Sequence, residues 1–323
     1  NIKDYYDLIF TPKRIKLKFF KKFPKGLNYY LFSIFSVIKG ISLKTDVFVT
    51  RNLFTLIILL LFNKKVIIEL HHDFSNEGKF IKFAYNYFNI LNSNNIIKIV
   101  AITSAVKNFL IKELKVNKKK IKIIPSASSL KLKFSKLKKK RKYNIGYFGS
   151  LEKSKGYEFI TSLSKINKNN DYYIYGGEKK IINFLRKNIQ NKNLCLHEYV
   201  PYKKLKYHIS KMDVLIMPSN KKTLRSTGGV GNIAKFTSPL KLFDYLSAGK
   251  FIIISDLKVF HEIIKNNKHC IVVSLNQTKW IKVLKNIKNN LKKINILKKN
   301  AFILSKKYTY KNRAKQIVDG LKY

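Results

Sequence analysis

One pattern limits what this chain can fold into more than any other. Short β-branched apolar runs alternate with longer segments whose apolar residues recur at helical spacing. The first strand-like runs are DVFVT (Asp46–Thr50), KVIIEL (Lys65–Leu70), IKIVAIT (Ile97–Thr103) and IKIIP (Ile121–Pro125). Between them lie NLFTLIILLLF, KFIKFAYNYFNIL and SAVKNFLIKEL, with GLNYYLFSIFSVIKG ahead of them all. Such an order predicts parallel strands joined by helical crossovers, because a parallel pair needs a long return that packs on the sheet. The stretch SASSLKLKFSKLKKKRK (Ser126–Lys142) interrupts the pattern. It is rich in Ser and Lys, shows no apolar face, and reads as a linker, the other reading being a long basic loop inside one domain.

The alternation resumes in NIGYFGS (Asn144–Ser150), DYYIYGG (Asp171–Gly177), NLCLHEYV (Asn193–Val200), DVLIMPS (Asp213–Ser219), KFIIISD (Lys250–Asp256) and HCIVVS (His269–Ser274). ILKKNAFILSKKYTYKNRAKQIVDGLKY then predicts two closing helices. The expectation is an α/β chain of two domains: 1–128, a linker 129–142, a second domain 143–305, and a C-terminal helix 306–323. At 323 residues and 46% hydrophobic, the chain has material for two cores.

Charge is the feature that most invites misreading. The formal net charge is +50, from 67 Lys and Arg against 17 Asp and Glu. A nucleic-acid surface would be expected to lean on the planar fork of arginine, yet the basic residues are lysines except for Arg14, Arg51, Arg141, Arg186, Arg225 and Arg313. The lysines also run through the whole sequence instead of gathering in one groove. Asn, Ile, Phe and Tyr, whose codons share the A/T-rich bias of lysine, are abundant too. Compositional drift accounts for all of these together, so no nucleic-acid partner is expected. Attraction to an anionic membrane is compatible with the charge. The longest apolar run, LFTLIILLLF (Leu53–Phe62), is too short to span a bilayer. Cys195 and Cys270 form no motif, and a reducing, cytoplasmic setting is expected.

Two stretches carry chemistry. In KFTSPLKLFDYLSAGKFIIISD (Lys235–Asp256), Ser238 reads as an N-cap and Pro239 as the first helical residue. The N–H groups of Leu240 and Lys241 would then point out of the helix start, which suits a phosphate. Lys241 would add a mobile positive charge. Asp244, three residues on, shares its face and is placed to bond a sugar hydroxyl. An ordinary capped helix with a surface Lys–Asp pair fits the same spacing. In YFGSLEKSKG (Tyr147–Gly156), a strand ends near Gly149 and Ser150, and Lys155 precedes Gly156 at the head of a helix. Small residues there admit a ligand to the backbone, and two such sites at the strand ends of one domain reinforce each other.

On these residues the chain resembles the family 4 glycosyltransferases. TSPLKLFDYLSAGKFIIISDLKVFHEII resembles their donor-site segment, and IGYFGSLEKSKGYEFI the start of their C-terminal domain. YIYGGEKKII, LHEYVPYKKLKYHISKMDVLIMPS and YTYKNRAKQIV follow in the family's order, and DVFVTRN, VIIELHHDF and IVAITSAVKNFLIKEL resemble the back half of its first domain. The resemblance implies a GT-B fold: two facing Rossmann-like domains with parallel sheets, the N-terminal one incomplete. It implies transfer of a hexosyl-type sugar, with retention, from a nucleoside diphosphate sugar to an acceptor hydroxyl. Surface polysaccharide or glycolipid synthesis is the expected setting, at the inner face of the membrane if the protein is peripheral.

By the same resemblance Lys155 contacts the donor diphosphate together with Gly149 and Ser150. Ser238, Pro239, Leu240 and Lys241 present the helix start, and Asp244 binds the ribose. Tyr199 and Val200 line the base through their backbone. His71, with His72 beside it, serves the acceptor side, so His71, Lys155 and Asp244 are the expected catalytic set. Lysines would do electrostatically what a metal does elsewhere, so neither metal nor cofactor is expected. Departures accompany the match. Ser150 stands where the family often has Arg, Asp244 stands for the second of two glutamates, and 232–237 offers no carboxylate for the first. The Gly expected before the Val-Pro pair is displaced, leaving Glu198-Tyr199, and Ser126-Ala127-Ser128 replaces Asn/Asp-Gly-Val. The first strand and its glycine-rich loop have no counterpart, which predicts that Asn1 begins partway into the domain. A nucleotide-binding homologue with impaired catalysis, a basic nucleic-acid binder, and a phosphorylase or epimerase on the same fold remain as alternatives.

Overall fold

β-branched runs become strands here, and the amphipathic segments between them become the crossovers. The structure is a computed structural model and describes residues 25–74, 77–225 and 231–321. Two compact units result: residues 25–125 with 315–321, and residues 126–314. Residues 1–24, on which the expectation that Asn1 begins partway into the first domain bears, lie outside the described residues.

In the first unit, α1 (Lys25–Ser42) leads to β1 (Val47–Thr50), α2 (Leu53–Leu61), β2 (Lys65–Leu70), α3 (Lys79–Tyr87), β3 (Ile96–Ala101), α4 (Ser104–Lys112) and β4 (Ile121–Ile123). The strands are parallel and lie in the order β1-β2-β3-β4. Buried on five of its six residues, β2 is central, as a run of Val, Ile and Leu requires when helices cover it. The longest apolar run, too short to span a bilayer, is α2. Asn52 caps it by accepting from the Thr55 N–H, and Leu53, Leu56 and Leu59 are buried. Lys98 is a buried lysine on β3. Its ammonium donates to the carbonyls of Gln316 (3.2 Å), Ile317 (2.8 Å) and Asp319 (2.6 Å), closing the chain's last helical turn onto this sheet.

The second unit runs β5 (Asn144–Phe148), α5 (Tyr157–Ile166), β6 (Asp171–Gly177), α6 (Lys179–Asn188), β7 (Leu194–Glu198), α7 (Tyr202–Ser210), β8 (Val214–Met217), α8 (Leu240–Ala248), β9 (Phe251–Ser255), β10 (Ile271–Val273), α9 (Gln277–Lys285) and α10 (Leu291–Ser305), and α11 (Tyr310–Val318) follows. Its sheet is parallel, in the order β10-β9-β8-β5-β6-β7. From the neighbours β5 and β8 the chain winds outward in opposite directions, which opens a crevice at their C-terminal ends. Alternate residues of β5 feed the two faces. Ile145 and Tyr147 join Tyr172 and Trp280 on one side, and Phe148 joins Leu246 and Tyr245 on the other.

The stretch expected as a linker lies along the second unit. Leu130 and Leu137 are buried. The Leu137 N–H donates to Asn295 Oδ1 (2.7 Å), Lys298 donates to the Ser135 carbonyl (2.9 Å), and Lys140 pairs with Asp213 (2.7 Å). Two leucines seven residues apart among lysines make no periodic face, so neither strand nor helix spacing discloses these anchors. Among the described residues no helix is long and apolar enough to cross a membrane.

Candidate active site

Where β5 ends, the Gly149 N–H donates to the Tyr175 carbonyl on β6 (2.8 Å). A Cβ on Gly149 would lie 2.5 Å from Lys241 Nζ, so the missing side chain is the space the ammonium fills. Lys241 reaches there from the first turn of α8 and lies 3.9 Å from the centroid of the Tyr147 ring, in cation–π contact. Lys155 arrives from the other side, at the end of the short 3-10 turn Lys153–Lys155, and donates to Ser150 Oγ (2.7 Å). Gly156 follows with φ +85°, and a Cβ on it would stand 2.1 Å from the Pro218 carbonyl oxygen. The turn is thereby pressed against the end of β8, at the switch point of the sheet.

Burial holds the Lys241 ammonium well below the usual lysine range, and the Lys155 charge pushes it the same way. Lys155 is also lowered by burial, against the opposing pull of Glu152. A buried ammonium with the charge of Lys155 beside it forms a receptor for a negative charge. An anion between them relieves both effects at once.

The start of α8 differs from expectation in two respects. The helix begins at Leu240 with Pro239 as the N-cap residue, one position later than a Ser238 cap requires. Ser238 does not cap it, because its hydroxyl accepts from the Ser126 N–H (2.9 Å), tying α8 to the incoming chain. Lys241 is also no mobile surface charge but is folded back against Gly149 and Tyr147. Leu240 stays exposed, while Leu242, Phe243 and Leu246 fill the core as expected.

Asp244 pairs with hydroxyls, not with Lys241. Its Oδ1 accepts from Ser128 Oγ (2.6 Å) and from the Tyr202 hydroxyl (3.1 Å), and Ser129 Oγ bonds Tyr202 in turn (3.1 Å). Burial raises the Asp244 carboxyl to about 6, with the two hydroxyls pulling it back down. Ser128 and Tyr202 were not among the expected site residues. Ser128 stood out only as a departure from the family pattern, and Tyr202 lay within the segment LHEYVPYKKLKYHISKMDVLIMPS with no signal of its own. A backbone bond supports the same corner, the Phe148 N–H donating to the Tyr245 hydroxyl (2.9 Å). At the end of β7 the Tyr199 N–H already donates to the Gly177 carbonyl (3.0 Å), and the Tyr199 side chain is exposed. Val200 packs on the hydrophobic core.

The expected acceptor-side residues lie in the first unit, after β2. His71 Nε2 is 2.5 Å from Oε1 of the buried Glu69, and Arg51, just past β1, places a guanidinium nitrogen 3.0 Å from His71 Nδ1. A guanidinium only donates, so Nδ1 accepts and Nε2–H is the donor to Glu69. His72 Nδ1 meets the Asp73 carbonyl, and its Nε2 is 3.9 Å from Glu77. Glu69 escaped the motif reading because a charged residue inside an apolar strand looks like one facing solvent, and Arg51 because a lone arginine after a strand belongs to no motif.

A doubly wound sheet, a glycine turn at the switch point and a lysine-bearing helix start define an α/β protein of GT-B fold. The chain belongs to the glycosyl transferases group 1 family, whose model matches residues 128–313. It is a glycosyltransferase. Similar folds are found in HepE of Anabaena, solved with UDP-glucose (13% identity, 89% of this chain and 80% of that one, TM-score 0.64), and in a glycosyltransferase from Rickettsia africae (14%, 95% and 85%, TM-score 0.66). Sucrose-phosphate synthase from Thermosynechococcus elongatus is similar too (12%, 92% and 78%, TM-score 0.65). No curated protein matches the chain.

Proposed function

We propose that the second unit binds a nucleoside diphosphate sugar and that the protein transfers the sugar, with retention, to an acceptor hydroxyl. The observation that carries this reading is the convergence of Lys155, Lys241, Ser150 and Gly149 on one spot at the switch point. In the reaction the bond from the anomeric carbon to the diphosphate oxygen breaks, a bond to the acceptor oxygen forms, and the acceptor's proton passes to the departing diphosphate. Charge therefore accumulates on the diphosphate, where Lys155 and Lys241 stabilise it more strongly than they do the intact donor. Asp244, held by Ser128 and Tyr202, takes the ribose hydroxyls, and Tyr199 and Val200 border the base. UDP is the nucleotide to try first, since HepE was solved with UDP-glucose.

On the acceptor side we assign His71, oriented by Glu69 and Arg51, with His72 as its neighbour. Hexosyl transfer in surface polysaccharide or glycolipid assembly is the role that best suits the family resemblance.

Calorimetry with UDP, GDP and ADP on the parent chain, Lys155→Ala and Lys241→Ala tests the donor site. One diphosphate is expected to bind selectively, and each alanine to weaken it about tenfold or more, the value of a charge-assisted hydrogen bond. Equal affinity of parent and both variants overturns the assignment. Tight binding without acceptor-dependent release of diphosphate identifies a homologue that keeps the site and has lost the reaction.

A further inference from the structure

The loop that follows β8 is fastened to the turn that delivers Lys155. Ser154, buried and adjacent to Lys155, holds it at two points. Its carbonyl accepts from the Asn220 N–H (2.8 Å), and its hydroxyl accepts from the Arg225 N–H (3.2 Å). The start of the loop is tied to β9, the Ser219 carbonyl accepting from Ser255 Oγ (2.7 Å). Further along, Leu224 is buried and its carbonyl accepts from the Ile233 N–H (2.8 Å). The backbone of Arg225 is thereby fixed beside the residue that precedes Lys155, while its side chain is exposed. Among the described residues no carboxylate pairs with Arg225. Ser154 and Lys155 are one Cα step apart, about 3.8 Å, and an extended arginine is longer than that step.

The leaving group sets what the pocket must supply. Breaking the bond to the sugar leaves a terminal phosphate that carries about two negative charges near neutral pH. Ser150 offers it only a hydroxyl, already accepting from Lys155 (2.7 Å). Burial lowers both Lys155 and Lys241. A guanidinium stays charged and presents a planar fork that matches two phosphate oxygens. We infer that Arg225 is a third cation of the donor site, and that its guanidinium binds the terminal phosphate of the nucleoside diphosphate. The inference rests on the nucleotide-sugar reading of this site and adds to it a residue from outside both motifs. Lys221 and Lys222, on the same loop, are the poorer choices. Asn232 Nδ2 donates to their carbonyls (3.0 and 2.8 Å) and the Lys222 N–H donates to Asn220 Oδ1 (2.9 Å), so they form a turn of their own, and neither bonds Ser154.

Calorimetry on the full chain is the test, with whichever of UDP, GDP and ADP binds tightest and with the matching monophosphate. Arg225→Gln keeps the backbone N–H to Ser154, so its thermal melt should match the parent's. Its diphosphate affinity should fall about tenfold or more, and its monophosphate affinity by less than about twofold. Arg225→Lys should recover part of the loss, since it keeps the charge without the fork. Lys221→Gln with Lys222→Gln should bind the diphosphate within about threefold of the parent, as exposed charges do. Parent-like diphosphate affinity in Arg225→Gln overturns the inference. So does an equal loss for the monophosphate, or an equal loss from the lysine pair, which reduces the effect to diffuse charge. If Lys155→Ala weakens the diphosphate and Arg225→Gln does not, the donor site stands and Arg225 leaves it. If the parent binds no diphosphate, both readings fall.

Discussion

Two hydroxyls meet one carboxylate oxygen at Asp244, and the energetic consequence can be signed. Burial raises this carboxyl to about 6, above the ordinary range near 4. Between those values the folded chain holds a proton that the unfolded chain has released. Stability from this group is therefore fully present below about pH 4 and lost as pH rises through about 6. A shift of this size corresponds to about 2 to 3 kcal/mol. Unfolding free energies measured from pH 7 down to pH 4 should show this increment in the parent and lack it in Asp244→Asn. Identical profiles would remove Asp244 from the account. The Lys155–Ser150 contact has its own sequence history. Both residues were legible from a Gly-rich turn, whereas the Ser128–Asp244 bond spans 116 positions and has no local signal.

Among the elements, the turn that delivers Lys155 depends on one backbone angle. Gly156 has φ +85° and no room for a methyl group beside the Pro218 carbonyl. Gly156→Ala must both strain the backbone and push α5 away from β8, at a cost of about 2 to 4 kcal/mol. Because Lys155 precedes it, diphosphate affinity should fall with stability. Denaturant midpoints and calorimetry on the same variant test this, and an unchanged midpoint would contradict the close approach. Strand and helix existence was legible at this scale, since periods of 2 and 3.6 are local properties of the chain. Strand ends were not read to the residue: Ile97–Thr103 became Ile96–Ala101, and DVLIMPS shortened to Val214–Met217. The start of α8 moved by one residue because Ser238 gave its hydroxyl to Ser126, a partner 112 positions away.

Across the whole molecule, 67 basic residues against 17 acidic ones make self-repulsion a standing cost of folding. Chloride screens it. The melting temperature should rise by several degrees from low to moderate salt, because each kcal/mol recovered is worth about 2 °C or more in a chain of this size. A flat or falling melting temperature would show that the positive charges are spaced too widely to matter. The sequence by itself determined the α/β class, the parallel sheets, the glycine turn and the lysine-bearing helix start, because each is written in residues close together along the chain. Tertiary structure alone decided that Lys241 folds over Tyr147, that Ser128 and Tyr202 hold Asp244, that Glu69 and Arg51 hold His71, and that residues 129–142 lie on the second unit. Those outcomes depend on burial and on hydrogen-bond partners from separate elements, and neither exists until the strands have stacked side by side.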